Sequence, residues 1–144
     1  MAPISMYEVK AERFQALIKA VGLAAFGTLW HVEEHVWKGM LAGTYDQNST
    51  RGGHPGCSVR RCHSTLTAVA PMLHGTSGKS RTRTTILVRD VYEVPHETYF
   101  GGLDPVNISL EEFRSKSVTQ RGTKGSLNEQ ELKALELLCK NEGW

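Results

Sequence analysis

At 144 residues, with 40% hydrophobic and 22% charged side chains, the chain has the size and composition of one globular domain, which excludes disorder as its default state. The net charge of +2 is unevenly spread, because no acidic residue lies between Asp46 and Asp90 while Arg51, Arg60, Arg61, Lys79, Arg81, Arg83 and Arg89 all do. Three cysteines, Cys57, Cys62 and Cys139, exclude a disulfide scaffold and point to a reduced cytoplasmic protein, with a single Cys57–Cys62 bridge as the alternative.

In chain order, Phe14, Leu17, Ile18 and Val21 recur at helical spacing and predict an amphipathic helix over residues 7–26, ended by Gly27. Residues 28–42 suit either a helix or a pair of short strands. The longest apolar stretch, Ala20 to Trp30, is about half the length a membrane span needs and lies behind Glu8 and Glu12, unlike a secretory leader. Asp46 to Gly56 is dense in Asn, Ser, Gly and Pro and reads as loop. Cys57 to Leu73 is expected to open with a short helix and become extended, and Gly75 to Arg83 reads as a Gly/Ser/Arg-rich connection.

Thr84 to Tyr99 is the clearest strand region, with Pro95 limiting it to an edge or ending it. Gly101 to Pro105 forms a turn. Two capping boxes follow, Ser109-Leu-Glu-Glu112 before a short helix and Ser126-Leu-Asn-Glu129 before the last one. Leu132, Leu135 and Leu138 supply the apolar face of that last helix, and Gly143 closes it. The expected fold is therefore a single-domain α+β fold: N-terminal helix, central antiparallel strands, C-terminal helix, with a basic loop-rich region at about residues 46–83. The absence of repeats and of βαβ alternation argues against a doubly wound sheet.

The basic block predicts a polyanionic partner, RNA above all, since an ordinary solvated face mixes signs. Metal-independent RNA cleavage needs two proton-transfer groups and a cation near the phosphate. His35 and His54 are suited to the first role because imidazole titrates near neutrality. The segment Glu34-His35-Val36-Trp37-Lys38-Gly39 followed by Gly52-Gly53-His54 resembles the signature of EndoU endoribonucleases. Val91-Tyr92-Glu93 is similar to a strand of bacterial members, and Lys124 with Ser126 is similar to their lysine and Ser/Thr before a helix.

The resemblance implies cleavage of single-stranded RNA to 2′,3′-cyclic phosphate ends without a cofactor. His35 and His54 would act as acid and base in either order, Lys124 would stabilise the phosphorane, and Ser126 would orient substrate. Lys116 and Lys79 rival Lys124, and Arg51, Arg60 and Arg61 would hold flanking phosphates.

Two alternatives stand beside this one. His31 and His35 lie four apart in His31-Val-Glu-Glu-His35, which fits an inverted zinc-peptidase pattern. His31-Val-Glu33 with the later Cys57 and Cys62 echoes zinc deaminases. Zinc held by His31, His35, Cys57 and Cys62 would then serve a hydrolase or deaminase-like reaction. The other alternative is a non-catalytic nucleic-acid-binding or regulatory module using the same basic block.

Overall fold

The computed structural model describes residues 26–41, 43, 52–59 and 69–144. The helix expected over residues 7–26, the cations Arg51, Arg60 and Arg61, and Cys62 and His63 lie outside the described residues, Phe26 excepted.

Strand β1 (Leu29–Glu33) runs directly into helix α1 (Glu34–Met40), so the ambiguous segment 28–42 is one strand and one helix. Glu33 keeps an extended conformation at the helix N-cap, Glu34 stands in the positive first turn and Lys38 in the negative last one. Strand β2 (Gly53–Ser58) lies antiparallel to β1 with His31 opposite Pro55 and Glu33 opposite Gly53. Strand β3 (Val69–Thr76) takes the other side of β2, pairing Gly56 with His74 and Cys57 with Leu73.

The loop expected over Asp46 to Gly56 is thus corrected at its end, where Gly53-His54-Pro55-Gly56 forms part of a central strand. Packing overrides turn chemistry here. A Cβ on Gly56 would come within 2.5 Å of the Met72 sulfur, and one on Gly53 would come within 2.5 Å of the Val32 carbonyl oxygen. The small residues let β1, β2 and the side chains above them close together. Pro55 pairs with β1 alone, since the ladder to β3 begins at Gly56. The helix expected to open at Cys57 is also corrected, because Cys57 and Ser58 complete β2.

The strand region expected from Thr84 to Tyr99 resolves into β4 (Ile86–Arg89) and β5 (Glu97–Phe100), joined by residues 90–96. Its hairpin closes where the Asp90 N–H donates to the His96 carbonyl and the His96 N–H donates to the Asp90 carboxylate. Pro95 lies within that connection rather than ending the run, so its missing N–H costs no ladder bond. Strand β6 (Val106–Ser109) pairs with β3, helix α2 (Leu110–Arg114) follows, and the short β7 (Val118–Thr119) flanks β1. Among the described residues the strands form one antiparallel sheet in the order β4-β5-β3-β2-β1-β7, with β6 branching off β3.

Helix α3 (Glu129–Glu142) ends on Gly143 in the left-handed conformation, as expected. Its capping box lies two residues later than the sequence pattern placed it. The Asn128 side chain accepts from the Glu131 N–H, and the Glu131 carboxylate accepts from the Asn128 N–H. Ser109 stands at the N-cap of α2 without a side-chain capping bond.

Period-two alternation sorts the sheet into two faces. Leu29, Cys57, Leu73, Val88 and Phe100 pack against Leu135, Leu138 and Cys139 of α3. Trp30, Val32, Met72 and Ile108 pack against Val36 and Trp37 of α1. Each fully buried Leu or Val of these cores contributes roughly 1.5–3 kcal/mol. The molecule is an α+β fold with an antiparallel sheet between helices. Among the described residues no helix is long and apolar enough to cross a membrane.

Candidate active site

Alternation along β1 sends Leu29, His31 and Glu33 to the α3 face of the sheet. Leu29 is covered by the core, whereas His31 and Glu33 lie beyond it and open into a cleft of about 860 Å³. Among the described residues, Gly52 and Gly53 at the start of β2 form its floor. A Cβ on Gly53 would come within 2.6 Å of the His31 ring, so the imidazole occupies space that only glycine leaves free.

The other walls come from three connections. The β4–β5 loop brings Tyr92 and Glu93, the turn after α2 brings Lys116, and the segment around β7 brings Thr119, Arg121 and Gly122. Thr119 reaches the cleft because it pairs with His31. Lys116 adopts φ 62°, a left-handed conformation unusual outside glycine, at the end of α2. The N–H groups of Lys116 and Ser117 donate to the carbonyls of Phe113 and Glu112, which holds that turn.

His31 Nδ1 lies 2.8 Å from the Tyr92 hydroxyl, with the two rings edge to face at 5.6 Å. Burial pushes the Tyr92 phenol well above its usual range, so it stays protonated. The cleft therefore gathers an imidazole, two carboxylates (Glu33 and Glu93), two cations (Lys116 and Arg121) and a neutral phenol.

The residues singled out in the sequence are distributed differently. His35 is exposed at the start of α1, 3.3 Å from Glu33 Oε2, 3.3 Å from Ser117 Oγ and 3.9 Å from Glu112 Oε2. Of these partners, Glu33 is the one that lines the cleft. His54 falls on the α1 face of the sheet, opposite to His31, with 11% of its side chain exposed. It lies 3.7 Å from Glu34 and stacks at 4.8 Å on His74, while its carbonyl accepts from the Trp37 indole. Burial, and then the neighbouring His54, pull His74 down to about 4 against the opposing pull of Glu34. His35 and His54 have no common partner among these contacts, and neither forms a wall of the cleft.

Lys124 donates to the Arg89 carbonyl at 2.7 Å and to Glu131 at 2.9 Å, an arrangement that ties α3 to β4. Burial alone would raise the Glu131 carboxyl, but bonds from the Asn128 N–H, Lys124 and the Arg89 N–H outweigh it and hold the group below its usual value. Ser126 is exposed and forms a bridge with Thr28. Cys57 is a free thiol in the α3-side core, pushed upward by burial and therefore protonated. Among the described residues no three His, Cys, Asp or Glu side chains form a metal-binding group, and Cys62 lies outside them.

Sequence reading passed over Arg121, took Glu33 only within the deaminase-like pattern and took Lys116 only as a rival to Lys124. The signal for Glu33 was its two-residue spacing from His31, which becomes meaningful once the segment is a strand. Arg121 carried no such signal, because it stands outside the basic block. No family model, curated protein or solved structure matches the chain.

Proposed function

We propose that the cleft beside β1 cleaves single-stranded RNA by internal transesterification, leaving a 2′,3′-cyclic phosphate, with no metal in the reaction. The observation that carries the reading is the meeting of His31, Glu33, Lys116 and Arg121 around one open cleft. In such a reaction one group removes the 2′-hydroxyl proton as the O2′–P bond forms. Another gives a proton to the 5′-oxygen as the P–O5′ bond breaks. His31 and Glu33, which share one strand face, are the pair assigned to move those protons, with Glu93 as the second carboxylate of the cleft. Lys116 and Arg121 supply cations for the phosphate charge that grows between them. His35, Lys124 and Ser126, expected at the centre, become supports at its margin or structural links in this reading, and His54 becomes part of the opposite core. A count of three cysteines and the buried, protonated Cys57 thiol support a reducing, cytoplasmic setting.

The test is digestion of single-stranded RNA by the purified protein in EDTA. We expect cyclic phosphate ends, and a loss of about a hundredfold or more for His31→Ala and for Glu33→Gln, the usual contribution of general acid–base catalysis. Binding without cutting would leave a nucleic-acid-binding module instead. Cutting restored only by added zinc would favour the metal reading.

A further inference from the structure

His31 and Glu33 share the cleft, and their roles follow from what holds the imidazole. The Tyr92 hydroxyl has one proton to donate, and His31 Nδ1, 2.8 Å away, is its hydrogen-bond partner among the described residues. A phenol kept neutral by burial presents that proton rather than a charge. If it points at Nδ1, a neutral imidazole must carry its own proton on Nε2. The Nε2 edge of the ring lies over Gly53, which forms part of the cleft floor.

Resting on the RNA-cleaving reading above, we propose that Tyr92 is a positioning residue which donates to His31 Nδ1, so that His31 is the general acid and Glu33 the general base. A neutral His31 with hydrogen on Nε2 has no lone pair to offer the 2′-hydroxyl, so it is unsuited to begin the reaction as a base. Taking up a second proton on Nδ1, with the phenol turning to accept, makes it an imidazolium whose Nε2–H faces the cleft. That proton passes to the 5′-oxygen as the P–O5′ bond breaks, while Glu33 takes the 2′-hydroxyl proton. One proton is given and one received, so the two groups exchange protonation states.

The charged and titratable groups around His31 fit this division. Glu33 stands on the same strand face, Glu93 and His96 on the loop carrying Tyr92, and Lys116 and Arg121 on the turns opposite. The two cations line the same cleft and can meet a phosphate bound in it. His35 lies 3.3 Å from Glu33 and is not among the residues lining the cleft.

Nitrogen-15 NMR of the imidazoles separates the two neutral tautomers and can be read on the wild-type protein without RNA. We expect neutral His31 to carry its proton on Nε2, and Tyr92→Phe to convert this into a mixture. The same variant should lose about tenfold in kcat with little change in KM and should alter the shape of the pH–rate profile. A wild-type His31 with its proton on Nδ1 would overturn the proposal, whether or not Tyr92→Phe folds. So would an unchanged tautomer and pH profile in a folded Tyr92→Phe protein. If the tautomer is as expected but the wild type cuts no RNA, the acid role falls with the functional reading and the Tyr92–His31 bond alone remains.

Discussion

His74 lies between the Trp37 indole, edge to face at 4.9 Å, and the His54 imidazole at 4.8 Å, with Glu34 the nearby carboxylate. Its proton affinity has a consequence for stability. In the unfolded chain a histidine gains a proton as pH falls through about 6.5, whereas in the folded protein His74 does so only near 4. Between those values the unfolded state binds a proton that the folded state refuses, so stability declines as pH falls from about 6.5 to about 4. Above that window the contribution is constant. The variant His74→Phe keeps a ring beside Trp37 and removes the titration, so its thermal midpoint should depend less on pH in the window. An equally steep acid loss in the variant would place the sensitivity on another group.

Strand β2 shows the same physics at the scale of an element. Glycine at 56 fits under Met72 and Val32, so Gly56→Ala should destabilise the fold by about 1–3 kcal/mol, as overpacking does. Gly53→Ala pushes on the His31 ring and should reduce activity along with stability. Equilibrium unfolding of the two variants measures this, and wild-type stability in Gly56→Ala would contradict the packing account. These glycines also explain what the sequence concealed. Gly-His-Pro-Gly has the chemistry of a turn, and only its neighbours on both sides make it a strand.

By contrast, α3 was legible because its leucines repeat at helical spacing and Gly143 meets a local conformational need. The capping box was misplaced by two residues because Ser126 and Asn128 are both good N-caps, and the choice rests on Glu131 reaching Arg89 and Lys124. The cleft was the least legible part. His31 stood out, but as a metal ligand. Its companions Tyr92, Lys116 and Arg121 come from turns that only the strand register brings to it.

Across the whole molecule the positive block is partly answered by nearby acids. Arg83 bonds to Asp104 at 2.7 Å, approaches Glu142 at 3.9 Å and lies over the Trp144 ring at 5.5 Å, while Arg89 approaches Glu97 at 3.8 Å. The Arg83 contacts tie its loop to Asp104 and to the end of α3, and the Arg89 pair ties β4 to β5. Of the other cations of the block, Arg51, Arg60, Arg61, Lys79 and Arg81, the adjacent Arg60 and Arg61 are the pair to test for RNA contact. Each phosphate contact to a single strand adds roughly 0.7 to the salt dependence of binding. Removing both with alanine should lower the slope of log affinity against log salt by about 1–1.5. A slope that does not move would take these two arginines out of the RNA surface. The branch in the sheet has a different reach. Strand β3 pairs with β2 at its middle, with β6 over Val69–Met72 and with β5 at Gly75–Thr76. Its residues Ala70 and Met72 belong to one core and Leu73 to the other. A chain that loses β3 therefore loses the seam between both hydrophobic faces at once. Opening one half cannot spare the other, and the protein should melt as one cooperative unit rather than in two stages.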